Sequence, residues 1–124
     1  MYEDELVKAF LDINPASEGH ALIIPKKHHE TIYEIPDKEL KRIIIVAKKL
    51  AKLYKRVLAA KAINLLQASG SEAQQDVFHF HMHLVPRHER DGLNLWYRSK
   101  PKIKAEFDET LQKIKQHIKE KAQR

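Results

Sequence analysis

The 124-residue sequence contains no cysteine, only three glycines, one tryptophan and 7% aromatic residues. Without cysteine there is no disulfide staple, no thiol nucleophile and no cysteine-bound zinc or iron–sulfur centre. A reducing compartment is compatible with that composition. No run approaches the roughly 18 consecutive apolar residues of a membrane helix. The opening Met-Tyr-Glu-Asp-Glu also lacks the basic flank and apolar segment of a secretory leader. The expectation is a soluble cytoplasmic protein that does not span a membrane. With no internal repeat and no low-complexity linker, residues 1–124 are read as one domain, long enough for a real core and too short to include a separate recognition domain.

A hydrophobic content of 43% and a charged content of 32% belong to a folded chain. The formal charge of +6 raises the question of nucleic acid. The cations are spread along two helical segments, Lys38 to Arg56 and Lys113 to Lys121, and no zinc-finger spacing or aromatic RNA-binding motif accompanies them. A solvated basic face accounts for them, and a nucleic-acid partner is not expected.

Tyr2 to Asp12 has the pattern of two short strands turning at Asp4-Glu5, and Ala21-Leu22-Ile23-Ile24 that of a third, with Pro15 to Gly19 as a loop between. From Asp37, expected as N-cap, apolar residues recur at helical spacing through Leu40, Ile43, Ile44, Ala47, Leu50, Leu53, Tyr54, Val57 and Leu58. Ala62 to Gln67 returns to strand, and Ala68 to Asp76 reads as a loop. The next segment alternates: Phe78, Phe80, Met82 and Leu84 project one way, His79, His81, His83 and Val85 the other. A last helix is expected from about Ile103 to Ala122, with Phe107, Leu111, Ile114 and Ile118 on one face. The architecture is therefore α+β: a small antiparallel sheet packed with helices, the first helix against the Phe78/Phe80 face and the histidine face left for a pocket.

His79, His81 and His83 occupy one face at intervals of two, anchored by Phe80 and Met82. In an extended strand the neighbouring Cα atoms lie about 6–7 Å apart and the outer pair about 13 Å apart, awkward for joint coordination of one zinc. A bulge, or a ligand from elsewhere such as His20, would be needed to make a metal site. We expect neither a metal nor a cofactor. A neutral imidazole has a nucleophilic nitrogen, and its second nitrogen can be held by a hydrogen bond.

Two stretches carry a family resemblance: Gln75-Asp76-Val77-Phe78-His79-Phe80-His81-Met82-His83-Leu84-Val85-Pro86-Arg87, and Phe10 to Pro15 followed by Gly19-His20-Ala21-Leu22-Ile23-Ile24-Pro25-Lys26. Together they resemble the histidine triad superfamily, in particular its compact purine-nucleotide-binding branch. The resemblance implies an α+β domain paired into a homodimer and a purine nucleotide or nucleotide conjugate as substrate. It makes the middle histidine, here His81, the nucleophile that accepts a nucleoside monophosphate, flanked by His79 and His83. It places His20 in a hydrogen-bond chain with His83. Asp12 falls on the carboxylate that accepts from the ribose hydroxyls, Phe10, Ile13 and Leu22 on the apolar surfaces around the base, and Gln75 on a donor to phosphate. His28, His29, His88 and His117 have ordinary turn and surface explanations.

The loop before the triad departs from the family pattern. Ala68 stands where asparagine is common, Gln74 where a glycine precedes the glutamine, and Asp76 where a hydroxyl residue assists the leaving group. Ser69 or backbone N–H groups are candidates to replace the missing donor. A charged Asp76 aimed at phosphate would repel it. The chain also starts almost at the family's first common strand, without the short cysteine-containing segment of many members, which leaves a naturally short form and a truncated one both open. The leading expectation is a nucleotidyl hydrolase or transferase working through nucleotidyl-His81. The alternative is a nucleotide-binding regulatory or interaction protein without useful turnover.

Overall fold

The computed structural model describes residues 1–122. Their contacts fall into two units, Met1–Leu93 and a second that begins at Asn94. The first unit carries strands β1 (Tyr2–Glu3), β2 (Val7–Leu11) and β3 (Ala21–Pro25), helix α1 (Asp37–Val57), then β4 (Ala62–Leu66), a single 3₁₀ turn (Ser71–Ala73) and β5 (Met82–Arg87). All pairings are antiparallel and the sheet order is β1-β2-β3-β5-β4. The fold class is the expected α+β.

Alternation along the strands separates two faces. Val7 and Ala9 of β2 and Ala21 and Ile23 of β3 are fully buried, packed with Ile43, Val46, Ala47, Leu50 and Tyr54 of α1. Those helical residues recur at three- and four-residue intervals, which puts them on one stripe. Full burial of a side chain the size of Ile43 is worth about 1.5–3 kcal/mol, so this seam holds the helix on the sheet. The opposite face presents Phe10, Leu22 and Ile24, whose neighbours in the strands alternate with them.

Three local expectations change. Pro36, extended at φ −64° and ψ 149°, is the N-cap of α1, with no side-chain capping bond. Asp37 is instead the first helical residue, and with Glu39 it puts carboxylates in the first turn, where the helix dipole favours them. β5 begins at Met82, later than the alternating pattern suggests, because β3 pairs only with residues 82–84 and β4 with residues 83–87. Phe80 N donates instead to the carbonyl of His29, in the loop after β3. Phe80 is fully buried as expected, whereas Phe78 is 46% exposed and does not join the core.

The second unit contains helix α2 (Lys104–Ala122), two residues' agreement or better with its expected limits. Its apolar residues Phe107, Leu111, Ile114 and Ile118 are exposed, as are Trp96 and Tyr97. Lys104 and Asp108 pair at 2.8 Å along its surface. Among the described residues no helix is long and apolar enough to cross a membrane.

Candidate active site

On the open face of the sheet, strand register sets three side chains in a row. Phe10 of β2 lies opposite Leu22 of β3, and Leu22 opposite His83 of β5. An apolar wall therefore ends at an imidazole. Around it a cleft of about 330 Å³ is lined by Phe10, Asp12, Ile13, Leu22, Asp76, Val77 and the three triad histidines, with Asn14 and Ile24. That volume suits a small ligand rather than a polymer.

The histidines are held by hydrogen bonds whose polarity can be read. His81 Nδ1 lies 2.8 Å from the carbonyl oxygen of His79. A carbonyl only accepts, so Nδ1 carries the proton and Nε2 of the neutral ring has its lone pair free. His81 is 8% exposed and lines the cleft. His79 is tied by Nε2 to the carbonyl of Pro25 at 2.8 Å, and its Nδ1 lies 3.3 Å from Nδ1 of His28. The triad's first two members are thus fixed by side-chain bonds in a stretch that no neighbouring strand pairs.

His83 is oriented through a relay. Ala16 N donates to His20 Nδ1 at 3.0 Å, so that nitrogen is an acceptor and the ring's proton sits on Nε2. His20 Nε2 in turn donates to His83 Nδ1 at 3.0 Å, which leaves the His83 proton on Nε2. The His20–His83 chain implied by the resemblance is present in this geometry. Asp12 lies beside it: Oδ2 is 3.7 Å from His20 Nε2, while Oδ1 accepts from Asn14 N at 2.8 Å. Asp12, His20 and His83 also bring three ligand-type atoms within 4.8 Å of one another, the arrangement of a small cation site. The hydrogen bond between the two imidazoles already joins two of these side chains, so a cation would have to displace its proton.

Burial pushes both His20 and His83 below the ordinary histidine value of 6.5; the neighbouring His81 and His20 rings push His83 further down, while Asp12 opposes the shift in both. The folded protein therefore resists protonation at these rings and the unfolded chain does not. Above about pH 6.5 the contribution to stability is fully present, and it is lost as pH falls from there through the lowered folded values. Thermal unfolding followed from about pH 8 to about pH 5 should show a decline that flattens in the His20→Asn, His83→Asn double variant. An unchanged slope in the double variant would assign the acid sensitivity elsewhere.

Gln75 does not line the cleft. Its Nε2 donates to the carbonyls of Glu30 at 2.7 Å and Val77 at 3.1 Å, and its Oε1 accepts from Gly70 N at 2.8 Å. With both amide donors used inside and 5% exposure, it clamps the loop that begins at Gly70. Ser69 is likewise turned inward, its Oγ accepting from Ile32 N at 2.9 Å. Asp76 is the loop residue at the cleft: 83% of its side chain is exposed, Oδ1 accepts from Val77 N at 2.9 Å and stands 3.7 Å from His81 Nε2. No Lys or Arg is among the described lining residues. The sequence offered no signal for His28, which spacing places in an exposed turn and the structure sets against His79. His29, expected beside it in the same turn, is instead largely buried.

Residues 1–90 match the HIT domain family model, and the chain belongs to the HIT, or histidine triad, family. It is 40% identical over 121 residues to an uncharacterized HIT-like protein of Borreliella burgdorferi, covering 95% of this chain and 87% of that one. It is 42% identical over 109 residues to an adenosine 5'-monophosphoramidase of Saccharomyces cerevisiae, covering 87% of this chain and 65% of that one. Among solved structures, a HIT family protein from Bacillus anthracis superposes with a TM-score of 0.84 at 37% identity, covering 98% of this chain and 85% of that one.

Proposed function

We propose that this protein is a nucleotidyl hydrolase or transferase that acts on purine nucleoside phosphoramidates or related nucleotide conjugates through a nucleotidyl-His81 intermediate. The observation that carries the reading is the His81 ring, whose Nδ1 proton is committed to the His79 carbonyl while Nε2 stays free at the cleft. Similarity to the yeast phosphoramidase supports the substrate class. In the first step the Nε2 lone pair forms a bond to phosphorus as the P–N bond breaks, and the amine departs with that electron pair and takes up a proton. In the second, water attacks phosphorus, the P–Nε2 bond breaks, and the nucleoside monophosphate leaves. His83, with its proton held on Nε2 by the relay from His20, is the donor for charge developing on phosphate oxygen. His79 fixes His81 through its carbonyl, and Gln75 acts by holding the loop. Phe10, Ile13 and Leu22 hold the base.

Rapid-quench mass measurement on protein mixed with an adenosine phosphoramidate tests this: a transient gain of one adenylyl group is expected. A carboxylate 3.7 Å from the attacking nitrogen, in a cleft without Lys or Arg, favours a second reading in which nucleotide is bound without turnover. Tight AMP binding with neither adduct nor product would decide for it.

Asp12 is assigned to the ribose hydroxyls, with its unshared Oδ2 as acceptor. Asp12→Ala should weaken AMP binding by about 1–3 kcal/mol, less where solvent screens the contact, and 2′-deoxy-AMP binding by less. Calorimetric titration of both nucleotides into both proteins measures this. Equal losses for the two ligands would return Asp12 to pocket structure.

The exposed stripe Phe107, Leu111, Ile114 and Ile118 supports a homodimer in which a second copy covers apolar surface. Sedimentation equilibrium over a range of concentrations should give twice the chain mass, and a monomer throughout would refute the assignment.

A further inference from the structure

The residues between β3 and α1 begin with no regular element, yet they grip four parts of the site. His28 Nδ1 lies 3.3 Å from His79 Nδ1. The His29 carbonyl accepts from Phe80 N at 2.6 Å, between the first and second triad histidines. The Glu30 carbonyl accepts from Gln75 Nε2 at 2.7 Å, and Ile32 N donates to Ser69 Oγ at 2.9 Å. One short stretch thus positions both the reactive histidines and the loop facing them. Lacking a strand partner of its own, it needs an anchor to hold those positions.

That anchor is visible. His29 Nε2 lies 2.6 Å from Oε2 of Glu39, in the first turn of α1, a close contact at ion-pair distance that is not aligned as a hydrogen bond, and neither buried atom has a hydrogen-bond partner among the described residues. Groups so placed stay together because separation leaves each buried and unpaired. The helix is itself fixed to the sheet by its buried seam, so the pair passes that rigidity to the loop. The His81 Nδ1 bond to the His79 carbonyl lies within the stretch whose Phe80 N is held by His29.

We propose that the His29–Glu39 pair is a positioning device for the reactive histidines, setting the place of His81 through the His29 carbonyl and that of the facing loop through Glu30. The proposal rests on the assignment of His81 as nucleophile. A misplacement of the attacking atom of about 1 Å is enough to cost on the order of a hundredfold in rate. The nucleoside wall, by contrast, stands on β2 and β3 and does not depend on this pair.

Glu39→Gln keeps the shape and removes the charge, and the double variant His29→Leu, Glu39→Leu replaces both polar groups by apolar ones and protects the fold. In both, kcat for an adenosine phosphoramidate should fall about 10- to 100-fold with KM within about threefold of the parent. Nitrogen-15 spectra of the imidazoles should show the protected His79 and His81 N–H signals broadened or lost. Folded variants with parental kcat and unchanged imidazole signals would overturn the proposal. AMP affinity falling in parallel with kcat would also overturn it, by making the pair a general stabiliser. Should the parent protein turn over no substrate, the proposed function fails, and the imidazole signals alone decide the role of the pair.

Discussion

His81→Asn should abolish the adenylyl adduct and lower phosphoramidate turnover by roughly 10³-fold or more, while the protein stays folded. Asparagine is the informative replacement. Its side-chain N–H₂ can still donate to the His79 carbonyl that His81 Nδ1 satisfies, so no buried acceptor is orphaned. Alanine would leave that carbonyl unpaired at a cost of about 1–3 kcal/mol and mix stability with chemistry. The substitution removes the free Nε2 and little else. AMP should still bind, because Phe10, Leu22 and Asp12 remain. An adduct formed at the parental rate by a folded His81→Asn protein would mean that another group attacks phosphorus. His79 and His83 are less suited to attack. His79 Nε2 is committed to the Pro25 carbonyl, and the relay from His20 leaves the His83 proton on Nε2.

Gly19→Ala should destabilise the protein by about 2–5 kcal/mol, the sum of backbone strain and overpacking. Gly19 sits at φ +91°, where an L side chain is strained. A Cβ there would also stand 2.6 Å from Leu58 Cδ1 and 3.3 Å from both Pro86 Cγ and Tyr54 Cε2. The glycine lets the loop after β2 close onto the end of α1, and the next residue is His20. Denaturant unfolding should show the loss. Adding Leu58→Ala should recover the part due to the Leu58 contact and none of the part due to φ or to Pro86 and Tyr54, a coupling that a double-mutant cycle reads directly. A Gly19→Ala protein as stable as the parent would show that the loop has room to move. Because the His20 relay starts at Ala16 N, a shifted loop should also lower activity in the surviving folded protein.

The three triad histidines were legible as a cluster in the order of residues. Spacing of two puts His79, His81 and His83 on one side of an extended chain whatever the surroundings, and the 3.6-residue recurrence from Leu40 to Tyr54 defines the stripe that α1 buries. Phe10 and Leu22 as an apolar wall came through the family resemblance, and the strands place them on the face opposite the buried residues with which they alternate. The relay between His20 and His83 was available only through family resemblance, since 63 residues separate them.

Alternation states which way side chains point but not which backbone pairs, so the limits of β5 were decided by β3 and β4, whose ladders reach no further back than Met82. Hydrogen-bonding capacity behaves the same way. Gln75 has the donors to meet a phosphate, yet the carbonyls of Glu30 and Val77 come within reach first and use both, while its Oε1 takes the N–H of Gly70. His29, an ordinary turn residue by position, becomes an anchor because α1 brings Glu39 within 2.6 Å of it. The sequence by itself determined the kinds of groups at the site and their spacing along the chain, because both are local. Only the tertiary structure decided which nitrogen of His79 and of His83 is bonded, which loop faces His81 and what holds that loop there, because each of those depends on a partner distant in the chain.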